Sequence, residues 1–540
     1  MTHVHDLVFR NVRLVDGTGS APRNADVAVD GDRIAAIGEP STLKGRSEID
    51  GTGRVLSPGF IDIHSHADFG LLLDGRAHSA VTQGVTTIVP GNCGHGVAPF
   101  TGGKGVSQTD MAFGLRPKWT QDLDDFTSFG GYLSQMASRG VGPNVLPMIP
   151  HGVLRASVAG FEERELSASE LATMVSMADE AMDAGAIGIS SGLEYTPGIA
   201  ATREELAAVA MPVGARGGFY ATHCRNRSER IVEAAEEAVY ITQASGCRLE
   251  MSHFVRRPTG PGRDLAMKAM DVIRKSDAAG TRSRFDVFPL EYGPSPVAMF
   301  VPQKFRREAG TAFGERLSDP TFVNRIIGDL DPRFVAMLEQ GIAEDMYISD
   351  DANTGEYVGW TLGQLAKAKK TNVASAAILL MAEAGPNYYD VVINERWLDW
   401  NDLVAAMQDP DFIIMGDGGV ANLDGPLAGK GFALADWGYA TRALGQFVRD
   451  LGALELSDAI RRMTFEPAAQ LGLSDRGTVA EGSYADLVLF DLETVGSDVR
   501  PEKVTVVSTG IEQVLVNGVF VVRDGDVTNT RPGRVGRHNI

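Results

Sequence analysis

The chain has 540 residues, of which 44% are hydrophobic and 22% charged. These are the proportions of a globular protein, not of a disordered, fibrous or disulfide-stapled one. Its 70 acidic residues outnumber 50 basic ones, for a net charge of −20 with no lysine- or arginine-rich run, and that field repels nucleic acid and anionic membranes.

Residues Met1–Asp6 lack the basic-then-apolar layout of a signal peptide. The longest apolar stretch, Val373–Met381, is half of what a bilayer crossing needs. Three cysteines, Cys93, Cys224 and Cys247, are too few for a disulfide framework. The reducing cytoplasm is therefore the expected location.

In chain order, short strands come first: Leu7–Phe9, Asn11–Val15, Asp26–Val29 and Arg33–Gly38, with turns at Asp16-Gly17 and Asp30-Gly31. Eight apolar runs follow, over 59–64, 86–90, 144–149, 186–190, 218–223, 248–253, 284–288 and 411–416. Helical patterns separate several of them, such as Ser228–Ala244 and Ser167–Ala184 with its Ser167-Ala-Ser-Glu170 capping pattern. Strands alternating with helices predict an α/β protein, most simply a (β/α)8 TIM barrel. An open doubly wound sheet is the alternative, disfavoured by the missing Gly-rich dinucleotide fingerprint. The long gap between the seventh and eighth runs predicts an insertion around 290–400, a subdomain or a lid. The chain then returns to strands at Ala485–Phe490 and Val514–Val522, with a turn at Asn517-Gly518. A small sheet domain built from both ends is expected, with two unrelated terminal hairpins as the alternative. The predicted units are 1–54 and 471–540 for that sheet and 55–470 for the barrel.

Of ten histidines, several close the predicted strands. His64 and His66 end the first run, and residues two apart on a strand point the same way. His223 ends the fifth run and His253 the sixth. Cys93 follows the second run in Gly91-Asn-Cys-Gly94, and Asp417 follows the eighth in Gly416-Asp-Gly-Gly419. Barrel enzymes place their chemistry at this end of the strands. Four imidazoles, a thiolate and a carboxylate suit one or two zinc ions. Singly each is weak, because a lone buried histidine or cysteine is more often a core residue. Their coincidence at equivalent strand ends points to a metal site. His3, His5 and His538 read as terminal residues outside it.

These motifs resemble the amidohydrolase superfamily, and within it the N-acyl-D-amino-acid deacylase (D-aminoacylase) group. The resemblance runs from Val55–His66 through Gly84–Gly94, His151–Arg155, Gly188–Tyr195, Thr222–Asn226 and Ser252-His253 to Gly477–Val488 and Arg531–Arg534. It implies a tight zinc site from Cys93, His223 and His253, and a weaker one from His64, His66 and Asp417, with Cys93 able to bridge. It implies a β-sandwich assembled from both termini beside the barrel. The implied reaction is zinc-dependent hydrolysis of an amide C–N bond, with Asp417 as general base and then acid.

The substrate-reading positions depart from the group. Val255 stands where it has a lysine, Phe288-Pro-Leu290 where it has Tyr-Pro-Tyr, and Asp424–Lys430 where it has His-Pro-Arg. Gly416 replaces its usual serine. His151, Glu194, Arg256, Tyr292 and Lys430 are the remaining candidates for substrate binding. A neutral amide, carbamate, urea or cyclic amide (as for a hydantoinase) therefore stays open as substrate, as does deamination. A non-catalytic scaffold barrel is disfavoured because all six ligand positions are filled. The expected partner is a small amide-type molecule, with neither nucleic acid nor membrane, and a homo-oligomer is left open.

Overall fold

The computed structural model describes residues 3–102, 126–255, 263–309, 312–330, 334–335, 338, 341–429, 431 and 433–539. Two parallel sheets lie at its centre. One has six strands, in the order Phe412–Ile414, Ser283–Val287, Arg248–Met251, Phe219–His223, Gly188–Gly192 and Ile149–Pro150. The other joins Phe60–Ser65, Val85–Pro90 and Asn144–Val145. The predicted third run, 144–149, is thus two short strands. Pro147 lies between them and has no N–H for a ladder, and the chain changes partners there. Leu146 and Met148 donate to Ile88 and Pro90, while the Pro147 carbonyl accepts from Ile187. On the other side, Asp417 N–H donates to the His64 carbonyl and His66 N–H to that of Gly418, at 2.9 and 2.7 Å.

Helices follow most of these strands. Ala168–Ala184 starts on the predicted capping box, in which Ser167 accepts from the Glu170 N–H and Glu170 accepts from the Ser167 N–H. Such a box satisfies two helix-start donors at once.

A nine-stranded sheet draws on both ends of the chain, and Val55–Pro58 pairs antiparallel with Leu487–Phe490. Period-two alternation gives this seam two buried faces. Val488 and Phe490 pack on the main core, whereas Leu487 and Leu489 pack on a second core with Phe9, Val27 and Leu515. The two predicted strands over 7–15 are one strand, His5–Leu14, whose register shifts between Phe9 and Val12. Asn11 sits in that shift with φ +56°, a bulge in an otherwise continuous ladder.

Between Val287 and Phe412 the chain builds a separate layer. Tyr292–Pro296, Val391–Arg396 and Tyr347–Asp351 form an antiparallel sheet. Helices including Val373–Ala384 bury Phe300, Phe322, Ile348 and Met381 against it in a core of their own. No helix of the described residues is long and apolar enough to cross a membrane.

Candidate metal centre and its cavity

The ends of the parallel strands converge on one buried cluster. The imidazole of His64, fully buried, lies with Nε2 3.3 Å from Cys93 Sγ and 3.3 Å from Asp417 Oδ1. His66 Nε2 is 3.2 Å from the same carboxylate oxygen. His253 Nε2 approaches Cys93 Sγ from the other side, at 3.4 Å. Two groups of three therefore hold their donor atoms within 4.8 Å of one another: His64, Cys93 and His253, and His64, His66 and Asp417. The second is the set the resemblance implies. In the first, His64 stands where His223 was expected. The ring of His223 lies 4.7 Å from that of His253, and its side chain hydrogen-bonds Cys93. All six predicted ligands thus meet around one sulfur.

Three of these residues, Cys93, His253 and Asp417, have φ of +53°, +34° and +52°. Side chains with a Cβ rarely adopt that region, and such strain persists only where the surroundings hold it. Asp286 does part of this holding: it accepts the His253 backbone N–H, and its Oδ2 lies 3.1 Å from His64 Nδ1. Glu194 Oε2 is 2.9 Å from His223 Nε2. A carboxylate on the second ring nitrogen is the usual support of a metal-bound histidine. Gly416 also has a local reason, since a Cβ there would come within 2.7 Å of Asp62 Oδ2.

Burial would push the Cys93 thiol up, but the charges of His64 and His253 outweigh it and hold the pKa well below the usual value. Burial, with little to oppose it, raises Cys224 to about 12 and Cys247 to about 11. Of the three, only Cys93 is thus poised as a thiolate, the form that can ligate metal. Burial would likewise raise Asp417, yet His64 and His253 hold it well below the carboxylate range. His66 goes to about 9, burial being outweighed by Asp417 and Cys93, and His253 falls to about 4 through burial and the Arg227 charge. Asp417 Oδ2 is buried without a hydrogen-bond partner among the described residues. A soft thiolate, imidazoles with carboxylate supports and a partnerless carboxylate oxygen fit zinc.

This cluster opens on a cavity of about 440 Å³ lined by His66, Cys93, His223, His253 and Asp417. Further round the cavity are Glu194, Tyr195, Arg225, Arg227 and Arg230, and the insertion contributes Ser295, Glu395 and Trp397. Tyr195 donates to the Cys93 carbonyl at 2.8 Å. Arg227 is buried, 3.0 Å from His253 Nδ1 and 3.4 Å from Glu194.

Of the predicted substrate residues, Glu194 lines this cavity. His151 does not; it is buried on Glu205, which also pairs with Arg155. Tyr292 gives its hydroxyl to a cluster with Asp345 and Arg396. Arg256 and Lys430 lie outside the described residues. Sequence reasoning missed Arg227, Asp286, Tyr195 and Glu395. Asp286 had a readable signal, a lone carboxylate inside the apolar run 284–288.

Residues 47–522 match the amidohydrolase family. The chain belongs to that family. Its similarity to members of the N-acyl-D-amino-acid deacylase group spans nearly the whole length. A D-aminoacylase of Alcaligenes xylosoxydans xylosoxydans is 31% identical over 98% of this chain and 97% of its own length. An N-acyl-D-aspartate deacylase of the same organism is 32% identical, over 98% and 94%. The crystal structure of N-acyl-D-glutamate deacylase from Bordetella bronchiseptica superposes with a TM-score of 0.80 at 26% identity, covering 99% of this chain and 100% of that one. That structure holds zinc and a phosphonate that mimics the tetrahedral intermediate. This amidohydrolase is thus a metal-dependent hydrolase of C–N amide bonds.

Proposed function

We propose that the protein is a zinc-dependent N-acyl-D-amino-acid deacylase. One observation carries this substrate class: the cavity holding the metal-ligand cluster is also walled by Arg225, Arg227 and Arg230. The family's usual partners for the substrate carboxylate are missing from this sequence, and two of these guanidiniums stand in for them. Arg225 is tied to Glu237 by a forked ion pair and to the carbonyls of Ile199 and Ala201. Arg227 and Arg230 are the groups for the carboxylate, because a guanidinium fork matches its geometry.

Cys93, His223 and His253 would hold the tighter zinc, and His64, His66 and Asp417 a second. When bound, the metal supplies Lewis acidity, polarising the scissile carbonyl and making water easier to deprotonate. Asp417 takes the proton of the attacking water. The C–N bond then breaks, and the proton passes to the departing nitrogen, leaving a carboxylate and a free amine. Glu194 and Asp286 orient His223 and His64 throughout.

The architecture behind this reading is one (β/α)8 barrel over 55–470, formed by the two parallel sheets. The backbone hydrogen bonds from Asp417 to His64 at one seam and from Ile187 to Pro147 at the other support that closure. The nine-stranded sheet, which takes Val55–Pro58 together with strands from 1–54 and 471–540, is a small β domain beside it, and the layer around 290–400 is a subdomain over the strand ends.

Steady-state kinetics of zinc-loaded protein with N-acetyl-D-methionine and its amide-capped analogue test the substrate class. The free acid is expected to win by about tenfold or more in kcat/KM, the worth of one ion pair. Equal rates, or preference for the capped form or a cyclic ureide, would overturn it.

A further inference from the structure

The insertion contributes a carboxylate to the cavity that the metal chemistry does not use. Glu395 ends the strand Val391–Arg396 and is only 2% exposed. Its Oε1 accepts from Ser295 Oγ at 2.6 Å and from Trp397 Nε1 at 3.1 Å. Its Oε2 is buried with no hydrogen-bond partner, and no lysine or arginine among the described residues pairs with the carboxylate. All three side chains line the same cavity as the metal-ligand cluster. Trp397 ties them to it, with its ring 5.9 Å from that of His253 and the Arg227 guanidinium 5.3 Å away.

A buried carboxylate oxygen without a donor is costly, and the cost disappears when a ligand supplies one. Ser295 and Trp397 fix the carboxylate before any ligand arrives, so little ordering remains to be done on binding. The cavity is therefore bipolar. Arg227 and Arg230 suit an anion, and Glu395 suits a cation. An N-acyl amino acid presents both charges only if its side chain is cationic, as an ammonium or a guanidinium is.

We propose that Glu395 is a specificity-determining residue that selects N-acyl-D-amino acids with a cationic side chain, an ammonium of the lysine type or a guanidinium of the arginine type. It rests on the deacylase reading above. The same carboxylate repels an acidic side chain, which sets this chain apart from the relatives named for glutamate and aspartate.

The test compares N-acetyl-D-lysine, N-acetyl-D-norleucine and N-acetyl-D-glutamate on zinc-loaded, full-length protein. Norleucine has the lysine chain without the charge. We expect kcat/KM for lysine to exceed that for norleucine by about tenfold or more, expressed in KM, with glutamate the poorest. In Glu395→Gln, which keeps an oxygen for Ser295 and Trp397, the lysine-to-norleucine ratio should collapse towards one. Calorimetric binding of the three compounds to zinc-loaded Asp417→Asn protein reads the same order without turnover, and the wild-type kinetic order stands even if the Glu395 variant does not fold. Hydrolysis of all three with norleucine or glutamate preferred overturns the role of Glu395 and leaves the deacylase reading intact. Turnover and binding of none of them, with hydrolysis of a capped amide or ureide, overturns both.

Discussion

The catalytic and selective walls of the cavity are built in different ways. The proposed metal ligands stand at the ends of parallel strands beside the main hydrophobic core, and three have strained backbones. Glu395 and Ser295 come from an antiparallel sheet with a core of its own, that of Phe300, Ile348 and Met381, and Trp397 just after it packs back on the main core. Recognition therefore rests mostly on a core of its own, tied to the core behind the chemistry through Val392 and Trp397.

The sharpest way to break this contrast is to remove the shared sulfur. Cys93→Ala should lose both zinc, by elemental analysis, and measurable turnover, whereas the cysteine-to-alanine changes at 224 and 247 should keep both. Zinc bound at full stoichiometry by the Cys93 variant would refute the metal assignment. Asp417→Asn comes next: kcat/KM is expected to fall by about 10²–10⁴, the usual worth of a general base. Near-wild-type rates would remove Asp417 from the mechanism. On the arginine side of the cavity, Arg230→Ala should raise KM for an N-acyl-D-amino acid about tenfold with kcat little changed, the signature of lost ground-state binding.

Ile348→Ala probes the second core. It should cost about 2–5 kcal/mol in thermal or denaturant unfolding while leaving zinc content unchanged. Loss of zinc would mean the two cores are coupled. The smallest effect concerns the buried thiols. With Cys224 raised to about 12 and Cys247 to about 11, both stay protonated at pH 8 and gain thiolate only as pH climbs towards those values. Mass spectrometry after iodoacetamide treatment of native protein at pH 8 should find both unmodified.

Much of the catalytic wall was legible in the sequence because strand ends are local. His64 and His66 share a face by the two-residue period alone, and the eight apolar runs place His223, His253 and Asp417 at matching heights. The third run misled only through Pro147, whose missing N–H splits the strand. The selective wall was not legible. Arg227 reaches the site through a turn after His223 that no periodicity fixes, and Glu395 is brought in by a sheet pairing across about a hundred residues, Ser295 to Glu395. The expected substrate residues His151 and Tyr292 illustrate the converse. Each sits near a strand end in sequence, yet each is spent on a neighbouring carboxylate, Glu205 or Asp345.

The seam where Val55–Pro58 meets Leu487–Phe490 bears on how the protein is made. Arg54 reaches Glu512 across this sheet, 458 positions further along the chain. At ribosomal speeds of about 5–20 residues per second, the early strands wait roughly 20–90 s for their partners to emerge. During that interval the edge of Val55–Pro58 offers unpaired backbone groups to any neighbouring nascent chain. High-level expression should therefore meet its yield limit at this waiting edge, and slower synthesis at lower temperature should relieve it.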